Sequence, residues 1–132
     1  MIVIHCADTY ARMDTTAADV DRWHREEKGY AQIGYHWFIR RNGLVEPGRA
    51  EAIAGAHVAG HNANSIGICY AGGKGDNGQP QDNRTPAQKR SIQMLVCWLQ
   101  KRFPGARVLG HHDLNPAKAC PCFDVKSEFP QP

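Results

Sequence analysis

Side chains able to hold a metal ion occur near both ends of the sequence. A short apolar run, residues 2–4, leads into His5, and a distant segment supplies His111, Lys118 and Cys120. Two imidazoles and one thiolate hold zinc while leaving its fourth position open to water, which is typical of catalytic zinc sites. Because these residues are far apart in sequence, such a site forms only in the folded chain. The pattern predicts a zinc hydrolase with one catalytic ion.

Two adjacent histidines compete for the second ligand position. The sequence predicts a strand over residues 108–111, in which neighbouring side chains face opposite sides. Leu109 is expected to face the core, and His111 shares its face, so His111 is favoured over His112. Asp113 has two interpretations of equal weight. It could orient a ligating imidazole through the free ring nitrogen, or it could cap the turn that follows.

Two other polar side chains could assist hydrolysis. Lys118 lies two residues before Cys120 and can point into the same cleft, where a cation stabilises a developing oxyanion. A surface lysine without a role is the alternative. Tyr35 begins an aromatic run, and its phenol could polarise a carbonyl group or assist proton transfer. A tyrosine that only packs is the alternative there.

Two loops are candidates for the walls of a binding cleft. A loop of small residues carries His57 and His61 and suits the close approach of an extended ligand. A further zinc ligand from this loop is the weaker alternative. Residues 72–83 form a polar loop dense in Gly, Asp and Asn, and we expect it to border a long open groove.

The five cysteines are an odd number and do not form the pattern of a small disulfide scaffold. Cys6, Cys69 and Cys97 are expected to be buried free thiols. Cys120 and Cys122 flank a proline, so a redox pair is an alternative to the metal site. The nearby histidine and lysine are better explained by the metal site.

The predicted elements alternate between strands and helices. We predict strands over residues 2–5, 35–40, 44–46, 66–71 and 108–111, with a hairpin turn at Asn42-Gly43. One helix opens at Thr15 or Thr16 and closes at Gly29. A second opens at Thr85 with Pro86 and Gln88 and ends at residues 104–105. Its predicted buried face is Ile92, Leu95, Val96, Leu99 and Phe103.

This order of elements predicts an α/β domain in which a mixed sheet of about five strands is flanked by helices. The zinc cleft is expected at the C-terminal ends of the strands, where α/β sheets gather their sites. At 132 residues the chain suits one domain with a buried core, so residues 1–132 are expected to form a single domain.

Charge and hydropathy narrow the range of functions. The formal net charge of +3 is too small, and the basic residues too scattered, to indicate nucleic-acid binding. No stretch is long and apolar enough to span a bilayer. Residues 2–4 are too short for the apolar core of a secretory signal. We therefore expect synthesis in the cytoplasm.

Six segments form an ordered pattern over nearly the whole chain. They are IHCADT (4–9), GYH (34–36), GAH (55–57), NSIG (64–67), TPAQ (85–88) and residues 110–123. No single segment is specific, but together they resemble the type 2 N-acetylmuramoyl-L-alanine amidases, which are related to peptidoglycan recognition proteins. The resemblance is nearest to the small phage lysozymes that are zinc amidases, or endolysins.

The resemblance implies a zinc-dependent enzyme that hydrolyses the amide between N-acetylmuramic acid and L-alanine of the stem peptide, and so lyses the bacterial cell wall. By the same resemblance His5, His111 and Cys120 are the zinc ligands, and Tyr35 and Lys118 are the catalytic assistants. The spacing from histidine to cysteine is one residue longer than in the small phage members. This loop difference is expected to leave both ligands in place.

The resemblance also implies a place of action. We expect a monomer that acts on peptidoglycan, without nucleic acid or membrane insertion, after another protein has perforated the inner membrane. A non-catalytic peptidoglycan-binding module and a regulator of a host enzyme are the alternatives. Binding modules of this type typically lack the cysteine ligand, so the presence of Cys120 favours the enzyme.

Overall fold

In the computed structural model, which describes residues 1–130, a five-stranded sheet forms the centre of one α/β domain. The seven strands of these residues are β1 (Ile2–Cys6), β2 (Thr9–Tyr10), β3 (Trp37–Ile39), β4 (Val45–Pro47), β5 (Ile66–Tyr70), β6 (Gly73–Lys74) and β7 (Val108–Gly110). The four α-helices in the same range are α1 (Ala17–Lys28), α2 (Pro86–Arg102), α3 (His111–Leu114) and α4 (Val125–Glu128). One turn of 3-10 helix covers Asn62–Asn64.

The central sheet is mixed, as predicted. Its strand order is β4-β3-β5-β1-β7, and β2 and β6 form a separate two-stranded sheet. β1 pairs in parallel with β5 and with β7, and β5 pairs in parallel with β3. Only β3 and β4 are antiparallel within the central sheet, as expected for a hairpin.

Helices cover both faces of this sheet. Every residue of β1 and β5 is buried, which is typical of parallel strands covered on both sides. Ile68 packs in a cluster with Ile92 of α2, whereas Cys69 packs in a second cluster with Val20 of α1. Successive strand residues face opposite sides, so α1 and α2 lie on opposite faces. His5, which pairs with Cys69 in register, faces α1.

The two long helices begin where their capping residues predict. Thr16 and Asp19 form a capping box at α1, and Gly29 ends that helix in the left-handed conformation with φ of 70°. Thr85 and Gln88 form the second capping box at α2. The residues of the predicted α2 face that are buried are Ile92, Leu95, Val96 and Leu99.

Two predictions about α2 were wrong. Phe103 is 41% exposed, because α2 ends at Arg102 and the next residue leaves the helical periodicity. Cys97 is exposed rather than buried, since it falls on the outer side of the helix beside the exposed Trp98. Cys6 and Cys69 are buried free thiols, as predicted.

Short elements account for the remaining differences. The strand predicted over residues 108–111 stops at Gly110, whose N–H bonds to the carboxylate of Asp113 and so begins α3 at His111. β2 and β6 were not predicted, because two-residue strands carry no periodic pattern. No helix within residues 1–130 has both the length and the apolar character needed to cross a membrane.

Candidate metal centre

The C-terminal ends of β1 and β7 bring two histidines together. Ile4 pairs with Gly110 in parallel register, so the residues that follow them, His5 and His111, come next to each other. Their ring centroids are 4.7 Å apart. His5 is buried, whereas His111 is half-buried and lines a groove.

Cys120 is held at the same edge by two hydrogen bonds from backbone N–H groups. The N–H of His112 donates to the Cys120 carbonyl at 2.8 Å. The N–H of Cys6 donates to the Cys120 sulfur at 3.1 Å. An N–H directed at the sulfur complements the charge of a thiolate, the form in which cysteine binds metals. The long spacing between His111 and Cys120 therefore does not separate their donor atoms.

The donor atoms of His5, His111 and Cys120 all lie within 4.8 Å of one another. Within residues 1–130 this is the one group of three or more such side chains that could hold a metal ion. Two imidazoles and one thiol fit a zinc ion that keeps one position open. The structure thus brings together the three residues that the sequence singled out as ligands.

Both imidazoles are kept uncharged by their surroundings. Burial holds the pKa of His5 well below 6.5, with smaller contributions from His57 and His111. Burial also lowers the pKa of His111, and the nearby ammonium of Lys118 adds to this effect. A metal ion binds the neutral imidazole, so both side chains are ready to act as ligands.

Tyr35 and Lys118 line the same groove as His111 and Cys120, and the groove has a volume of about 790 Å³. The Tyr35 ring centroid lies 5.0 Å from that of His5. Burial raises the pKa of Tyr35 well above 10, so its phenol stays protonated and can donate a hydrogen bond. Lys118 is exposed, which leaves its ammonium accessible to a ligand in the groove.

The groove walls come from several elements. Helix α1 and the segment after it contribute Trp23, His24, Glu27, Lys28 and Tyr30. The loop of small residues contributes Ala56, His57, Val58 and Ala59. Residues 72–83, predicted as a wall, contribute Gly73 and Pro80.

His57 contacts His5 and is not one of the three donors. Its Nδ1 is 2.8 Å from Nε2 of His5, and its Nε2 is 3.2 Å from Oγ of Ser65. Burial lowers the pKa of His57 to about 3. The sequence indicated the loop but not this contact, since the two histidines are 52 residues apart.

Asp113 caps α3 and does not orient His111. Its Oδ2 accepts a hydrogen bond from the N–H of Gly110 at 2.8 Å. Asp113 approaches the imidazole of His112 instead, with 3.9 Å between Oδ2 of Asp113 and Nε2 of His112. Of the two interpretations that the sequence left open, capping is the one that the structure supports.

Cys122 contacts Cys6 rather than Cys120. The two sulfur atoms are 3.8 Å apart, and the Cys122 thiol also donates to the carbonyl of Gly73 at 3.4 Å. A hydrogen bond with Cys120, together with burial, raises the pKa of Cys6 to about 12. All five cysteines are free thiols.

Known proteins match this chain over almost its full length. Residues 1–123 match the family described as N-acetylmuramoyl-L-alanine amidase. An endolysin of Klebsiella phage KP32 is 43% identical over 125 residues, which cover 95% of this chain and 82% of the relative. Peptidoglycan-recognition protein SC2 of Drosophila melanogaster is 32% identical over 135 residues, which cover 97% of this chain and 70% of the relative.

A solved structure shows the same agreement. N-acetylmuramoyl-L-alanine amidase LysC from Clostridium intestinale URNW superimposes with a TM-score of 0.82 at 27% identity, covering 100% of this chain and 85% of that one. The region that matches the family includes both segments that supply the candidate metal donors.

Proposed function

Since the chain belongs to the N-acetylmuramoyl-L-alanine amidase family, we propose that His5, His111 and Cys120 hold the one zinc ion at which it cleaves its substrate. The resemblance inferred from the six ordered segments is confirmed. The protein is a peptidoglycan amidase that hydrolyses the bond between N-acetylmuramic acid and L-alanine of the stem peptide, and so degrades the cell wall.

The convergence of three donor atoms within 4.8 Å is the observation that carries the zinc proposal. The donors come from β1, from the start of α3 and from the segment that follows it, so their approach is a property of the fold. Zinc bound in such an open site activates water near neutral pH and polarises a carbonyl group.

Tyr35 and Lys118 are proposed to act on the oxygen of the scissile amide. The protonated phenol of Tyr35 donates a hydrogen bond to that oxygen as negative charge develops on it. The exposed ammonium of Lys118 stabilises the same charge from the groove. Both side chains line the groove to which His111 and Cys120 contribute, which supports this assignment.

The groove also supports an extended substrate. Its small wall residues, among them Ala56, Ala59 and Gly73, allow a polymer backbone to approach closely. We propose that glycan and stem peptide lie along it and that residues 1–132 act as a single amidase domain on the cell wall. Action as a monomer, independence from nucleic acid and membrane insertion, and passage through a perforated inner membrane stay predictions.

The test is release of free stem peptide from purified peptidoglycan. Zinc-loaded protein, EDTA-treated protein and the Cys120→Ser variant are compared, with Cys97→Ser as a matched control at an exposed cysteine remote from the groove. We expect the loaded protein and the control to produce new L-alanine amino termini without new reducing sugar ends. EDTA-treated protein and Cys120→Ser should lose nearly all of this activity.

Two outcomes would contradict the proposal. Full activity after complete zinc removal would exclude the metal mechanism. If the protein binds peptidoglycan but none of its forms releases stem peptide, the chain is a recognition module. The presence of Cys120 disfavours this alternative.

A further inference from the structure

We propose that His57 is a positioning residue that sets the proton arrangement of His5, so that Nδ1 of His5 is free to bind the metal. This inference rests on the zinc site proposed above. It assigns a role to a buried histidine that lines the groove but does not belong to the donor cluster.

A chain of hydrogen bonds runs from His5 into the protein. Nε2 of His5 is 2.8 Å from Nδ1 of His57. Nε2 of His57 is 3.2 Å from Oγ of Ser65. Oγ of Ser65 donates to the backbone carbonyl of His61 at 2.7 Å. Both nitrogens of His57 are therefore engaged, and His5 retains only Nδ1 for another partner.

The backbone carbonyl of His61, at the end of this series of hydrogen bonds, fixes the direction of all of them. A carbonyl oxygen only accepts, so the single proton of the Ser65 hydroxyl points at His61. Ser65 must then accept from His57, which places the His57 proton on Nε2. Nδ1 of His57 therefore accepts from Nε2–H of His5. A neutral imidazole carries one ring proton, so Nδ1 of His5 keeps its lone pair.

The reverse arrangement is disfavoured by the same contact. If His57 donated through Nδ1, the Ser65 hydroxyl would have to point at His57. Two oxygen atoms, Oγ of Ser65 and the carbonyl of His61, would then face each other at 2.7 Å without a proton between them. His5 would also carry its proton on Nδ1, the position that the metal needs.

The surroundings hold the His57 ring in place. The side-chain oxygen of Asn62 accepts from the N–H groups of His57 and Val58, both at 2.9 Å. A Cβ atom at Gly67 would lie 2.8 Å from the His57 ring, and one at Gly55 would lie 2.6 Å from it. Glycine at these two positions, Gly55 in the small-residue loop and Gly67 in β5, leaves room for the ring beside His5.

The first experiment measures the proton arrangement directly. Long-range ¹H–¹⁵N correlation spectra of the zinc-free protein distinguish a histidine protonated at Nε2 from one protonated at Nδ1. We expect both His5 and His57 to carry the proton on Nε2. A proton on Nδ1 of either ring would overturn the inference, and this measurement needs no substitution.

The second experiment measures zinc affinity by competition with a chromophoric chelator. The variants His57→Asn and His57→Leu are compared, because the asparagine and leucine side chains have nearly the same shape. Only asparagine has an oxygen able to accept a hydrogen bond from His5. We expect His57→Leu to bind zinc about 10- to 100-fold more weakly, and His57→Asn to recover most of that loss. His61→Ala is the control, because it removes an imidazole from the same loop and keeps the carbonyl that Ser65 uses.

The outcomes separate this inference from the zinc proposal itself. If the unsubstituted protein binds no zinc, the proposed function fails. If it binds zinc and folded His57→Leu binds equally well, or if His57→Asn is as weak as His57→Leu, only the role of His57 fails. Thermal unfolding of each zinc-free variant shows whether it is folded.

Discussion

Tyr35 and Lys118 approach the groove from separate parts of the chain. Tyr35 precedes β3 and lies against the ring of His5, whereas Lys118 belongs to the exposed segment between α3 and Cys120. Neither belongs to the group of donor atoms. Their removal should therefore affect the reaction more than the affinity for zinc.

Tyr35→Phe and Lys118→Met are each expected to lower kcat by about 10²- to 10³-fold, since each removes a group proposed to stabilise the developing oxyanion. KM and zinc content should change little. Kinetics of stem-peptide release and metal analysis check both statements. Tyr10→Phe is the matched control, because Tyr10 does not line the groove. An unchanged kcat in either variant would remove that residue from the mechanism.

At the scale of elements, Gln88 joins α2 to the ends of two strands. Its amide nitrogen donates to the Ala71 carbonyl at 2.8 Å and to the Ile39 carbonyl at 3.4 Å. Its side-chain oxygen accepts from Arg41 at 3.1 Å and from the N–H of Thr85 at 3.0 Å. The Gln88 side chain is fully buried, so water cannot replace it as the hydrogen-bond partner of these groups.

Gln88→Ala is expected to lower the free energy of unfolding by about 3 kcal/mol, because it removes several buried hydrogen bonds and half of a capping box. Urea unfolding of the zinc-free protein measures this loss. Gln93→Ala, at an exposed position of the same helix, is the control and should change stability by less than about 0.5 kcal/mol. Equal effects in both variants would show that the buried hydrogen bonds of Gln88 add no measurable stability.

The elements that the sequence predicted are those with a local signal. Both long helices have a capping box and a periodic face, and β1 and β5 are continuous apolar runs. The sequence could not predict that His111 starts a helix, because this depends on the hydrogen bond from Gly110 to Asp113. In the same way, the candidate donors were recognisable by residue type, but the contact of His57 with His5 arises only when the chain folds, because the two residues are 52 positions apart.

Across the whole molecule, four buried histidines share one electrostatic property. Burial lowers the pKa values of His5, His24, His36 and His57. Two of them have structural partners that need a neutral ring. Nδ1 of His24 accepts from the N–H of Gly34, and Nδ1 of His36 accepts from the N–H of Gly67, both at 2.9 Å. Folding therefore favours the neutral form of these side chains.

Stability of the zinc-free protein should consequently fall in mild acid. The unfolded chain binds protons near the ordinary histidine pKa of about 6.5, whereas the folded protein binds them only at lower pH. The stabilisation that comes from keeping these histidines neutral is fully present above about pH 6.5. It is lost as the pH falls toward the pKa values of the folded protein, and it amounts to at most about 1.4 kcal/mol for each unit by which a pKa is lowered. We expect the unfolding temperature to be lower at pH 5 than at pH 7.5.

His36→Asn retains an acceptor for the N–H of Gly67 but cannot be protonated, so the unfolding temperature of this variant should depend less steeply on pH. Calorimetry across this range checks both expectations, and a constant unfolding temperature would show that the buried histidines are not destabilised by charging.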